Sequence, residues 1–247
     1  GADRPSSDLL VPRRDLSALF PDAAVERLQR AGAELRWRDA VRALRARPHR
    51  GWSLSMRQRE TEADAVVLAL PPDRAAALLA SAALPALASS LDALQRIDYA
   101  PIATVYLRYP ARTRLPAPLF ALCDDAARKR FGQWVFDRGA LDPGCDGVLS
   151  VAISGVGPHL ALDRDALIAA TARQLSDELA LPAPLAGYSL VEKRATTRPS
   201  PNLVRPPTEL PAAGLFLAGD AADSRYPSTI EGSVRAGLAA AHAALSA

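Results

Sequence analysis

Two short apolar runs constrain this chain more than any other feature: Asp64-Ala-Val-Val-Leu-Ala-Leu70, stopped by Pro71-Pro72, and Leu215-Phe-Leu-Ala218. Beyond Asp64 neither run alternates apolar with polar residues, as a half-buried strand would. Continuous runs of this kind are strands covered on both faces, so a sheet with helices on both sides is expected. Other segments carry different periods. Trp52, Leu54 and Met56 fall at every second position, and with Glu34–Trp37 and Val41–Arg45 they predict a small antiparallel meander. Strands are also expected at Ile102–Tyr109, Phe120–Cys123, Gln133–Phe136 and Val148–Ser154, forming one antiparallel sheet.

Helical spacing appears four times. Asp22 caps a first helix carrying Ala24, Val25, Leu28 and Ala31, with Gly32 ending it. Residues 75–94, Asp163–Leu179 and about Thr229–Leu245 follow. Five prolines between Arg198 and Pro211 predict an extended connection. The fold class is therefore α/β (α+β).

Composition narrows the function classes. The 247 residues are 49% hydrophobic and 23% charged, which excludes a disordered tail. The net charge is only +3, and its excess is local, with 13 basic and 8 acidic side chains in residues 1–60. With 5% aromatic residues to stack on bases, this argues against nucleic-acid binding. The two cysteines and three histidines lie far apart, so neither a disulfide framework nor a metal site is expected. The longest uncharged stretch, Ala75–Leu91, is interrupted by Pro85 and three serines and falls short of a membrane span.

The segment with most chemistry is Gly214-Leu-Phe-Leu-Ala-Gly219-Asp220, followed by Tyr226-Pro-Ser-Thr-Ile-Glu231-Gly232-Ser-Val-Arg235-Ala-Gly237. A buried strand delivers Asp220 at its carboxyl end, where open α/β sheets place ligand-binding groups. Ser228 and Glu231 stand at capping-box spacing, so a helix begins near Thr229 with N–H groups that attract negative charge. Gly232, in the first turn, lacks the Cβ that would hold a planar ring off the backbone. On spacing alone, a capped helix after an ordinary strand explains the segment equally well.

This run resembles the carboxyl-terminal FAD motif of the flavin-containing amine oxidase and phytoene-desaturase superfamily. Within it, the chain is most similar to the squalene-associated group, the hydroxysqualene dehydroxylases of hopanoid biosynthesis. Further segments resemble that group in the same order: Arg30–Arg36, Ala63–Pro72, Tyr99–Leu107, Gln133-Trp-Val-Phe-Asp-Arg-Gly139 and Ile153–Leu160. The resemblance implies FAD as cofactor, with Gly219, Asp220, Thr229, Ile230, Glu231, Gly232, Ser233 and Val234 along it. Trp134 and Phe136, on one strand face, would meet a long isoprenoid. Tyr226 and Glu231 adjoin the flavin motif and are the candidates for the acid that assists hydroxyl loss. Asp137 and Arg138 are expected to form a hairpin-end ion pair, Tyr106 and Tyr109 to pack within the sheet, and His159 to sit in a turn.

Two departures stand out. Where the family often has a bulky aromatic after Gly-Asp, Ala221 and Ala222 follow. The G-x-G-x-x-G element of the superfamily's first βαβ unit is absent from these 247 residues; Gly155-Val-Gly157-Pro158 lacks the third glycine and reads as a turn. The expected fold is thus a partial FAD-binding, Rossmann-like domain of the glutathione-reductase type without its N-terminal βαβ unit, and with an inserted substrate domain of antiparallel sheet plus helices. Residues 1–22 would end a substrate-domain segment, 23–72 and 201–247 would be FAD-domain segments, and 73–200 would bind substrate. The chain is expected to be the carboxyl-terminal portion of a longer flavoprotein.

The implied activity is FAD-dependent reduction of hydroxysqualene to squalene in the cytoplasm, with peripheral contact of the Arg-rich start at the inner face of the membrane. The electron donor is not identifiable from the residues. A carotenoid- or phytoene-type desaturase, or an amine oxidase-like flavoenzyme, would use the same apparatus. A non-catalytic fragment lacking the ADP-binding half is the alternative from another class.

Overall fold

The computed structural model describes residues 10–222 and 225–246. Of the Pro-, Ser- and Arg-rich opening, residues 1–9 lie outside the described residues. In chain order the elements are α1 (Leu16–Leu19), α2 (Pro21–Arg30), β1 (Ala43–Ala46), β2 (Trp52–Ser55), β3 (Glu60–Ala63), β4 (Val66–Ala69), α3 (Pro72–Ser81) and α4 (Ala88–Gln95). They continue with β5 (Tyr99–Arg108), β6 (Leu119–Ala121), β7 (Trp134–Asp137), α5 (Arg138–Leu141), β8 (Val148–Ser154), α6 (Arg164–Leu179), β9 (Ala186–Thr197), β10 (Leu215–Ala218) and α7 (Ile230–Ser246). The strands form a meander β1-β2-β3, a parallel pair β10-β4, and a five-stranded sheet in the order β6-β7-β8-β5-β9.

Two compact units result. One comprises residues 1–35 and 101–193, the other 36–100 and 194–247. Helices α3 and α4 fall in the second unit because Ala75, Leu78, Leu79 and Leu94 share a core with Val66 and Leu68 of β4 and Leu215 and Leu217 of β10. The sequence boundaries at 22/23, 72/73 and 200/201 thus differ from the structural ones at 35/36, 100/101 and 193/194.

In the unit of residues 36–100 and 194–247, β10 pairs in parallel with β4, Leu215 opposite Val66 and Ala218 opposite Ala69. β10 is buried throughout: Leu215 and Leu217 face the core with α3 and α4, while Phe216 and Ala218 pack with Ala240 of α7. Full coverage does not extend to β4. Val66 and Leu68 are buried but Val67 and Ala69 are exposed, so helices cover both faces of one strand of the pair only.

In the unit of residues 1–35 and 101–193, Ala103, Val105 and Leu107 of β5, Leu149, Val151 and Ile153 of β8, and Val135 of β7 pack against Leu167, Ala170 and Leu175 of α6. The alternation of β5 and β8 produces this one-sided core. Buried Gln174 of α6 completes it: its side chain accepts from Gly132 N (2.8 Å) and donates to Gly132 O (3.0 Å) and Cys123 O (3.3 Å).

Several local expectations need correction. Glu34–Trp37 is not a strand; the meander's third member is Glu60–Ala63. Asp22 lies in the first turn of α2, and the N-cap is Phe20. The stretch 75–94 is two helices, broken where Ala83 takes φ +53° and Pro85 opens a 3-10 turn. β9, twelve residues long, was not expected, because a mostly exposed strand bearing Glu192, Lys193 and Arg194 lacks an apolar stripe. Asp137 makes no ion pair with Arg138. It is fully buried, and its carboxylate accepts from Leu115 N (2.9 Å) and from Ala140 N (3.1 Å) as the cap of α5. Tyr109 is buried, but Tyr106 is exposed on the opposite face of β5.

Asp137→Ala strands two backbone donors, one of them buried, and should lower the unfolding free energy by about 3 kcal/mol in urea denaturation. His159 is buried beside Phe131, its Nε2 has no partner, and burial lowers its pKa from the usual 6.5. Protons therefore favour the unfolded chain, so this contribution is intact above about pH 6.5 and is lost as pH falls toward the folded-state value. Unfolding midpoints at pH 7.5 and 5.5 should differ less in His159→Leu than in the unmodified chain.

Candidate functional site

The parallel pair ends at a cleft of about 460 Å³, lined by Ala69, Leu70, Pro71, Pro72, Tyr99 and Arg194, with Ala195, Thr196, Ala218, Gly219, Asp220, Ser233 and Gly237 completing it. It lies within the unit of residues 36–100 and 194–247. Its position follows from strand direction: β4 and β10 both deliver their carboxyl ends here, β4 running into Pro71-Pro72 and β10 into Gly219-Asp220. The chain turns at Gly219 with φ +95°, a conformation that disfavours any Cβ. A Cβ built there, or on Gly237, would meet nothing within 4 Å. Small residues thus leave the cleft open enough for a flat ligand to approach the backbone.

Of the sequence-predicted cofactor residues, the structure brings Gly219, Asp220 and Ser233 together in this lining. Thr229, Ile230, Glu231, Gly232 and Val234 are not among the lining residues. Thr229 is the cap of α7, its hydroxyl accepting from Gly232 N at 3.1 Å. The expected capping box of Ser228 and Glu231 does not form. Ser228 Oγ contacts Thr197 Oγ1 and accepts from Arg205 Nη2 at 3.3 Å, while Glu231 Oε1 accepts from Arg235 Nε at 2.6 Å. Gly232 is buried, and its absent Cβ makes room for Pro227 O, 2.9 Å from where that atom would stand. Ile230 and Val234 are exposed on α7. Ala221 and Ala222, in place of the aromatic, are fully buried in the core.

Tyr226 lies under Arg235, whose guanidinium carbon is 4.6 Å from the ring centroid, and Arg235 also pairs with Glu231. The two candidate acids are thereby joined through one arginine. In the other unit, Trp134 and Phe136 project from the same face of β7, away from the core that holds Val135. Register places Phe136 and Tyr106 opposite Ser150 from its two sides, and Trp134 opposite Ala152. Three aromatics therefore flank a low floor of small residues along β8.

Sequence reasoning missed the polar cluster of the cleft. Tyr99 Oη donates to Asp73 Oδ1 at 2.7 Å and accepts from Asp73 N at 3.3 Å. Arg194 Nη1 pairs with the other carboxylate oxygen, and its guanidinium carbon lies 5.7 Å from the Tyr99 centroid. The Tyr99 hydrogen bond, helped by Arg194 and Arg74, lowers the Asp73 pKa; burial and the same bond raise that of Tyr99. The available signal was Asp73 following the strand-ending Pro71-Pro72, but nothing local joins residues 73, 99 and 194. Among the described residues no group of His, Cys, Asp and Glu could hold a metal, and no helix is long and apolar enough to cross a membrane.

Comparison with known proteins agrees with this architecture. Hydroxysqualene dehydroxylases from Rhodopseudomonas palustris and Sinorhizobium fredii are each 29% identical to it, over 245 and 243 residues. Those alignments cover 96% of this chain and 53% and 52% of the relatives, so the chain spans about half the length of the curated relatives it matches. Among solved structures, an oxidoreductase from Methanosarcina mazei superposes with a TM-score of 0.64 at 15% identity, covering 90% of this chain and 53% of that one. Cyclohexylamine oxidase from Brevibacterium oxydans superposes with a TM-score of 0.61 at 17% identity, covering 90% and 51%. The family described as flavin containing amine oxidoreductase matches residues 8–245, and the chain belongs to that family.

Proposed function

We propose that this chain is the FAD- and substrate-binding portion of an oxidoreductase that reduces hydroxysqualene to squalene. The observation that carries the reading is the small-residue cleft at the carboxyl ends of β4 and β10, in a chain 29% identical to two hydroxysqualene dehydroxylases. The unit of residues 36–100 and 194–247 is read as part of a Rossmann-like, glutathione-reductase-type FAD domain. The unit of residues 101–193, with the opening segment, is read as the inserted substrate domain.

The residues present fit the cofactor. Gly219 and Gly237 leave space for a planar group, and Asp220 and Ser233 supply an acceptor and a hydroxyl for the polyol linker of FAD. When bound, FAD supplies the hydride chemistry that such a reduction needs. The chain's own task is to hold the isoprenoid and to protonate the departing hydroxyl. Trp134, Phe136 and Tyr106 form an aromatic trough over Ser150 and Ala152, suited to a linear apolar chain. Of the two acid candidates, Glu231 is engaged by Arg235 as an acceptor, and the reading takes Tyr226, whose ring lies beside the same arginine, as the proton donor.

A desaturase of the phytoene type would use the same cleft in the oxidative direction, and product analysis separates the two. With FAD and a reductant, hydroxysqualene should yield squalene and phytoene should remain unchanged; desaturated phytoene would reverse the assignment. Tyr226→Phe should lower kcat about 100-fold while FAD content stays constant, whereas Glu231→Gln should have the smaller effect. A larger loss in Glu231→Gln would transfer the role to Glu231.

A further inference from the structure

One cleft wall comes from a segment that the flavin motif does not include. The last four residues of β9, Arg194-Ala-Thr-Thr197, contribute Arg194, Ala195 and Thr196 to the lining and are fastened at both ends. At the first end Arg194 pairs with Asp73, in the first turn of α3, and lies over the ring of Tyr99, the first residue of β5. Tyr99 closes the triangle by donating to Asp73 at 2.7 Å. At the second end Thr197, itself buried, contacts the hydroxyl of Ser228 just before α7. Arg205 then reinforces that loop, donating to Tyr226 O at 3.2 Å and to Ser228 Oγ at 3.3 Å. Immediately beyond, Arg198 N donates to Asp98 O at 2.7 Å.

We propose that Arg194–Thr197 is a strap that positions the flavin, held by Asp73 and Tyr99 on the α3 side and by Ser228 on the α7 side. The proposal rests on the reading of this cleft as the FAD site. Three sequence-distant segments, α3, the start of β5 and the loop before α7, meet through it. The Asp73–Tyr99–Arg194 cluster is more than surface decoration because one carboxylate satisfies two partners at once. Each bond fixes the carboxylate for the other, so loss of the phenol oxygen loosens Arg194 as well. The strap carries no reacting group; its residues are positioning residues. A cleft whose wall must be ordered upon binding pays entropy that a tethered wall has already lost, so the strap acts on affinity.

The test is titration of the full chain with FAD, followed by flavin fluorescence, with thermal unfolding of each flavin-free variant alongside. Tyr99→Phe keeps the ring under Arg194 and removes only the hydroxyl. It should weaken FAD binding about tenfold with the flavin-free unfolding midpoint unchanged. Arg194→Met should weaken binding at least as much, while Arg194→Lys, which keeps the charge beside Asp73, should recover part of the loss. Ser228→Ala tests the second end in the same way. Arg96→Ala, which breaks an exposed pair with Asp92 on α4, should leave FAD affinity unchanged. Affinities of Tyr99→Phe and Arg194→Met within twofold of the unmodified chain would overturn the strap and leave the flavin site standing. An affinity loss whose free energy is matched by the stability loss read from the flavin-free unfolding midpoint would also overturn it. Absence of FAD binding by the unmodified chain would overturn both readings.

Discussion

The parallel pairing of β4 with β10 is the constraint on which the cleft depends. Val66–Ala69 must find Leu215–Ala218 across more than half of the chain, with residues 101–193 of the other unit lying between them. Parallel strands cannot be joined by a tight turn, so the intervening chain has to leave the sheet and return. Loop-closure entropy rises only slowly with length, which lets the larger part of a folded unit occupy the connection at modest cost. What pairing must supply locally comes from burial. All four β10 residues are covered: Phe216 and Ala218 pack with the small Ala240 of α7, and Leu215 and Leu217 share their core with Ala236 of the same helix.

Close packing of α7 in turn sets the shape of the cleft. A helix that meets a sheet through glycine and alanine lies nearer to it than one with larger side chains. Ser233 and Gly237 are thereby brought to the same opening as Gly219 and Asp220. Gly232 meets a different constraint, since a methyl group there would press on Pro227 O in the loop before the helix. The glycine chosen in sequence as a seat for the flavin ring is thus explained by the loop's own close contact, while Gly219 and Gly237 are the positions open toward a ligand.

What could be read from the sequence depended on whether the signal was local. β8 and β10 match their expected limits because a buried strand writes its pattern into consecutive residues. β9 left no such pattern: it is largely exposed, and its function at the cleft is carried by Arg194 and by hydroxyls rather than by apolar spacing. The start of α7 was legible to within one residue, but the choice between Ser228 and Thr229 as cap was not. Both are good caps, and the decision rests on Thr197 and Arg205, which engage Ser228 from elsewhere in the chain. Gly219, Asp220 and Ser233 were accessible because they fall within one motif. Asp73, Tyr99 and Arg194 were not, because only the fold makes them neighbours.

The charges around the cleft are arranged in local pairs, and this limits what the site can recognise. Arg194 is matched by Asp73, Arg235 by Glu231, and Arg205 is directed at Tyr226 O and the Ser228 hydroxyl. Thr229 takes up the Gly232 N–H that an anion at the start of α7 would otherwise draw on. Asp220 places a carboxylate in the lining, and among the described residues no ion pair engages it. A pyrophosphate is held by unpaired cations or a nest of N–H groups, and the cation of the described lining, Arg194, is paired with Asp73. Polyol hydroxyls and a neutral ring ask for an acceptor, a hydroxyl and flat space, which Asp220, Ser233 and the two open glycines supply. On the reading proposed above, the acceptor, hydroxyl and open glycines of this cleft are suited to the ribityl and ring half of a flavin dinucleotide.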